Sequence, residues 1–204
     1  MAEGFVNVTE GSGKKLRAFD RVIGANTVLE EGMFNAEPNM PSYTSSPAAG
    51  ISIATANDHT FQVMAGASLN LYIRRIEVYQ LVAATTAAFC QFIVYRLTTA
   101  GTGGTNQTIT ALDNSDSAAS ATVMTLPTVK GTETFRIWNG TCVVTQTVPV
   151  AGGPTKLVDI DFDRLKTKAN RVPAGTTNGI GLKCITAVAA ATIVFNVTWG
   201  EANF

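Results

Sequence analysis

Leu69-Asn70-Leu71-Tyr72-Ile73-Arg74-Arg75-Ile76-Glu77-Val78-Tyr79 fixes the structural class of this chain. Leu69, Leu71 and Ile73 alternate on one face, and Ile76 and Val78 resume the alternation one residue out of phase. A period of two belongs to a strand. A slip at Arg74–Arg75 is what a β-bulge produces. Successive strand residues point to opposite faces, so one arginine is expected to turn inward or into an interface, unless both reach past the bulge to solvent.

The same period extends toward the C-terminus. Phe89-Cys90-Gln91-Phe92-Ile93-Val94-Tyr95 is aromatic and β-branched with apolar groups on both faces, and reads as a central strand closed by the turn Gly101-Thr102-Gly103-Gly104. Further strands are expected at Ala121–Leu126, Thr134–Trp138, Thr141–Val148, Leu157–Phe162, Gly179–Ile185 and Thr192–Trp199. Turn signals separate them at Asn139-Gly140, Gly152-Gly153-Pro154, Pro173–Gly175 and Asn178-Gly179. No βαβ alternation is present, and Asp163–Ala169 offers at most one helical turn. Short strands at this spacing point to an all-β, antiparallel sandwich or barrel. Phe89, Phe92, Ile93, Val94, Phe135, Ile160, Phe162, Phe195 and Val197 are the expected core.

Toward the N-terminus the pattern changes. From Pro38 to Ile73 only Asp58 is charged, and Pro38, Pro41, Pro47 and Gly50 disfavour a helix. Residues 1–50 are therefore expected to form an extended arm, with the β domain running from 51 to 204.

The chain has 204 residues, with 15 basic and 15 acidic side chains and one His. Charged residues make up 15% of it, against roughly 25% in ordinary soluble proteins. Exact charge balance argues against a nucleic-acid binder that neutralises phosphates and against a polybasic membrane anchor. No secretory signal opens the sequence, and no apolar run is long enough to span a bilayer. Cys90, Cys142 and Cys184 are widely spaced and odd in number, and read as small core residues rather than a disulfide framework or a zinc site.

Candidate chemistry is sparse. Glu10-Gly11-Ser12-Gly13-Lys14-Lys15 has the look of a phosphate loop, but Val8 stands where the first Gly is needed and Lys15 where Ser or Thr is needed. Asp159, Asp161 and Asp163 alternate along one strand face, and Arg164 follows where a calcium loop needs Gly, so a salt-bridged surface is expected there. Asp58-His59 holds the single His, read as a loop residue. No G-x-S-x-G supplies a nucleophile, and one His cannot build a His-based metal cluster. Glu77, Asp113, Glu133 and Glu201 are scattered, and Trp138, Trp199, Tyr72 and Tyr79 are read as core aromatics before a sugar platform. No catalytic residue, cofactor or metal is expected, and a hydrolase is the weakest reading.

Several segments nevertheless share a look. They are Val8-Thr9-Glu10-Gly11-Ser12-Gly13-Lys14-Lys15-Leu16, Ile23-Gly24-Ala25-Asn26-Thr27-Val28, Met64-Ala65-Gly66-Ala67-Ser68-Leu69 and Leu71-Tyr72-Ile73-Arg74-Arg75-Ile76-Glu77. Leu97-Thr98-Thr99-Ala100-Gly101-Thr102-Gly103-Gly104-Thr105, Met124-Thr125-Leu126-Pro127 and Trp199-Gly200-Glu201-Ala202-Asn203-Phe204 belong with them. Together they resemble small proteins found among the structural genes of tailed bacteriophages. The resemblance implies a jelly-roll-like β-sandwich acting as a virion structural protein, a capsid cement or decoration protein on the head surface. Such proteins commonly bridge capsomers as trimers or dimers, so the implied partners are the major capsid protein, other virion proteins and further copies of the chain, with no nucleic acid and no membrane. A tail, collar or fibre subunit and a carbohydrate-binding module for host attachment are the competing readings. No functional residue set comes with the resemblance. The candidate interface residues are Lys14, Lys15 and Arg17 in the arm, Arg74 and Arg75 at the bulge, and Phe204 at the end.

Overall fold

A computed structural model describes residues 18–23, 26–31, 40–146, 154–165 and 171–203. The chain divides into two compact units, residues 1–39 and 40–204. In the first, β1 (Ala18–Ile23) and β2 (Asn26–Glu31) form an antiparallel hairpin, with Ile23 opposite Asn26 and Ala18 opposite Glu31. The expected arm thus carries a hairpin of its own. Val22-Ile23 and Thr27-Val28 are β-prone pairs on either side of a Gly-containing connection.

The second unit is a sandwich. In chain order its elements are β3 (Ser42–Ser45), β4 (Ile51–Ser52), β5 (Asp58–Met64), β6 (Asn70–Val82) and β7 (Ala88–Leu97). There follow β8 (Thr105–Asn106), β9 (Thr110–Ala111), β10 (Thr122–Thr125), β11 (Glu133–Val144) and β12 (Thr155–Asp161). The four-residue helix α1 (Phe162–Leu165), β13 (Arg171–Val172), β14 (Gly179–Cys184) and β15 (Thr192–Ala202) complete it. One sheet runs β11-β7-β14-β5-β10-β8 and the other β12-β6-β15-β3-β9, with β13 added on β6 and β4 on β15.

Eight of these strands pair in a nested order. β3 lies beside β15, β5 beside β14, β6 beside β12 and β7 beside β11, all antiparallel. The first strand of the roll therefore meets the eighth, the second the seventh, the third the sixth and the fourth the fifth. That is a jelly roll, two Greek keys folded into facing sheets. The sheets pack through their inner faces, where Phe61 on β5 stacks on Phe195 of β15 with ring centroids 4.1 Å apart. Trp199, Phe92, Ile73, Ile76 and Val197 are fully buried with them.

The bulge lies where the phase slip put it. Thr198 of β15 pairs with Arg75 and Trp199 pairs with Ile73, which leaves Arg74 as the extra residue. Ile73 and Ile76, three apart, can then both face the core.

Several expectations change. Phe89 is 72% exposed and Phe135 60%. Cys90, Phe92 and Val94 take the inner face of β7, so parity turns Phe89 outward. Phe135 lies in the irregular part of β11, within the register shift between Glu133 and Arg136. Asn139-Gly140 is not a turn, because both residues pair in register with Ile93 and Phe92 inside one continuous strand. Gly140 answers a packing need: a Cβ there would strike the Trp138 indole. The body starts before residue 51, since Tyr43 on β3 is buried and β3 pairs with β15. Asp163 leaves the strand and enters α1, so only Asp159 and Asp161 lie on β12. The cysteines resolve into a Cys90–Cys184 disulfide between neighbouring strands β7 and β14, with Cα atoms 6.7 Å apart, and a free, half-buried Cys142. Burial pushes the Cys142 thiol up to about 11. No helix among the described residues is long and apolar enough to cross a membrane.

Candidate interaction surfaces

The outer face of the β6 sheet carries a compact ion network built around the bulge. Arg75 donates through Nε and Nη2 to the two oxygens of Asp159, at 2.9 and 2.8 Å. Its guanidinium also stands 3.2 Å from Glu77. Lys156 reaches Glu77 at 2.8 Å and Asp159 at 2.9 Å. The Tyr79 hydroxyl donates to Glu77 at 3.0 Å. Strand register explains the cluster: Asp161 stands opposite Arg75 and Asp159 opposite Glu77, so Asp159 is the diagonal neighbour that Arg75 reaches.

Hydrogen bonds from Arg75 and Lys156 hold the Asp159 carboxyl well below the usual carboxylate range. Burial alone would raise Glu77, but Lys156, Tyr79 and Arg75 outweigh it and its carboxyl is lowered. The hydrogen bond to Asp159 raises Arg75, and those to Glu77 and Asp159 raise Lys156. Neither bulge arginine enters the core, since Arg74 is half-buried and Arg75 exposed. Arg75 spends its charge inside the chain, and a salt-bridged strand face is what the carboxylates form. No group of three or more metal-ligating side chains gathers among the described residues. Lys14, Lys15, Arg17 and Phe204 lie outside the described residues.

The outer face of the β7 sheet has a different character. Ile93, Tyr95, Leu97 and Met64 form a second buried cluster there. His59, expected in a loop, sits on β5 and is 2% exposed. Its Nε2 bonds Glu133 at 2.8 Å, and its ring lies 4.8 Å from that of Tyr95. Lys183 reaches both Glu133 oxygens, at 2.7 and 2.5 Å, and stands over the Tyr95 ring at 5.4 Å. A carboxylate orienting an imidazole is half of a triad, but His59 Nδ1 and the Tyr95 hydroxyl have no hydrogen-bond partner, so no nucleophile is held against the base.

Burial pushes the His59 imidazole down, against the opposing pull of Glu133, with Lys130 and Lys183 adding to the fall. The native state therefore holds His59 neutral. Its contribution to stability is complete above the ordinary imidazole value, about 6.5, and is lost as pH falls below it toward the lowered native value. Glu133, held low by Lys183 and His59 against its burial, adds loss in the same direction at still lower pH. Urea unfolding at pH 7.5 and 5.5 is expected to show wild-type stability falling by up to about 1.4 kcal/mol per pH unit. His59→Gln should flatten that slope, and an unchanged slope would assign the titration elsewhere.

Exposed apolar side chains gather on one sheet margin. Phe89 of β7 stands directly opposite Val143 of β11, and both are exposed. Phe135 lies further along β11. Trp199, by contrast, is fully buried and donates to Glu201 at 3.1 Å, which removes it from any aromatic platform for sugar. Sequence reasoning missed both the His59 cluster and the Phe89–Val143 pair. The first depends on contacts between distant strands, and the second on which face of a doubly apolar strand is covered.

The chain was compared with protein-family models, with curated proteins and with solved structures, and none of them matches it significantly.

Proposed function

We propose that this protein is a non-enzymatic virion structural protein, a capsid cement or decoration protein that stabilises the head by bridging capsomers. The observation that carries this reading is the nested jelly-roll pairing of β3–β15, β5–β14, β6–β12 and β7–β11, an architecture used by viral capsid domains. Two further features support it. The sequence phrases resemble those of phage structural proteins, and the exposed apolar margin at Phe89 and Val143 suits protein contact. Low charge keeps such contacts insensitive to salt. Repetition of one modest interface over a lattice gives firm attachment without any single strong site.

Lectin domains also use the jelly roll, which keeps host-glycan binding as the second reading. A tail, collar or fibre subunit would share the same structural role at another position. Particle imaging with the protein labelled distinguishes them. Many copies spread over the head are expected, together with binding of the purified protein to capsids that lack it. A few copies confined to the tail would place it in a fibre or collar, and absence from particles would overturn the virion reading.

A further inference from the structure

The four margins of the two sheets are not equally protected. β8 and β9 are two-residue strands, too short to template another chain. β12 carries Lys156, Asp159 and Asp161 and is broken by a register shift between Lys156 and Val158. Short length, charge and bulges are the devices by which edge strands avoid pairing with foreign chains. β11 is the exception. It is 12 residues long and hydrogen-bonds to β7 alone among the described strands. Its first half is irregular, with shifts between Glu133, Arg136 and Trp138. From Trp138 to Val144 every residue pairs with β7 in unbroken register. No charged residue occurs between Ile137 and Thr155, and no proline before Pro149.

We infer that the Trp138–Val144 half of β11 is the interface for a second copy of this chain, whose own β11 pairs with it antiparallel across a two-fold axis, joining the two six-stranded sheets edge to edge. Self-pairing is the occupant that the charge pattern fits. Under a two-fold axis each edge residue meets the same short segment, so a charge placed there confronts its own sign. This stretch has none. With the axis near Thr141, Thr141 faces itself, Cys142 faces Gly140 and Val143 faces Asn139 of the second copy. The exposed Phe89 and Val143 of each copy then lie on the shared outer face beside the seam, where closure covers apolar surface as well as satisfying the open row of backbone groups. The inference names a surface and a pairing geometry that the virion reading does not, and it stands without that reading.

Analytical ultracentrifugation of the full chain over a concentration series tests it, with Thr141→Lys as the variant. Thr141 is exposed, so the substitution leaves the fold intact, which circular dichroism verifies. Wild type is expected to associate in multiples of two, and Thr141→Lys to weaken that association by about tenfold or more through like-charge contact. Hydrogen exchange provides the second reading. Amides within residues 138–144 should be slowed at high concentration in wild type and not in the variant. A wild-type monomer at all concentrations, or an assembly that Thr141→Lys leaves unchanged with the β11 amides unprotected, would overturn the inference.

Discussion

Phe195→Ala is expected to lower the unfolding free energy by about 3–5 kcal/mol, the range for removing a fully buried aromatic from a packed core. Phe195 lies mid-way along β15, itself an interior strand between β6 and β3. Its ring stacks on Phe61 from the opposite sheet at an interplanar angle of 28°. The contact is thus one of those that hold the sheets face to face. Truncation leaves a cavity walled by strands that hydrogen bonds fix in place, so little collapse can offset the loss. Urea denaturation should show a lower midpoint at constant slope. Phe89→Ala is the matched comparison: its ring is exposed, and the change should stay within about 0.5 kcal/mol. Equal losses at the two positions would contradict the assignment of inner and outer faces on β7.

Glu201→Ala is expected to cost roughly 2–5 kcal/mol, for a different reason. Glu201 is 2% exposed near the end of β15. Its carboxylate accepts from the Ser120 backbone at 2.9 Å, the Ser120 hydroxyl at 2.5 Å, the Ala121 backbone at 3.1 Å and the Trp199 indole at 3.1 Å. Alanine leaves the buried Ala121 amide and Trp199 indole without an acceptor, while the exposed Ser120 can turn to water. The connection between β9 and β10 is pinned at this point, and again where the Tyr43 hydroxyl donates to the Ser117 carbonyl at 2.9 Å and the Ser42 amide donates to Asp116 at 3.1 Å. Limited proteolysis should therefore cut Glu201→Ala within residues 112–121 before the body unfolds. Ser120→Ala, which removes one donor with its acceptor still served by others, should cost no more than about 1.5 kcal/mol. If the two variants were equally stable, the carboxylate would not be the anchor.

How far the sequence could be read depends on whether a strand's alternation survives at its surface. β6 and β15 face the core on one side and water on the other, so the period of two is visible in Leu71, Ile73, Ile76 and Val78, and even the bulge can be placed. β5 hides itself. His59 and Gln62 on its outer side are buried beneath neighbouring segments, Gln62 through bonds with Gly101 at 3.0 and 2.8 Å. Polar and apolar residues thus share one burial, and nothing alternates. β3 is four residues long between Pro41 and Pro47, and its strand character comes from β15, which is 152 residues away where Thr44 bonds Asn196. The surfaces were less legible still. Arg74 and Arg75 stand out in the sequence, but Asp159 as the partner of Arg75 follows only from the register of β12 on β6. The open margin of β11 emerges only once the sheet order is known, because an edge is a property of neighbours and not of residues.

The pairing of β3 with β15 also governs when this protein can fold. Gly200 stands opposite Ser42, and the Glu201 amide donates to the Pro41 carbonyl at 3.0 Å. β15 comes last in the chain order of the roll, yet it occupies the middle of its sheet. Until β15 docks, β3 lacks one of its neighbours and β6 is open along one side, so the sheet closes only with the last strand of the roll. Closure then depends on contacts between the two ends of the body, the most distant in sequence, and folding dominated by such pairings runs in roughly milliseconds to seconds rather than microseconds. Until that moment the half-built roll exposes strand margins that the finished molecule covers, and its exposure to aggregation is set by the time β15 takes to dock.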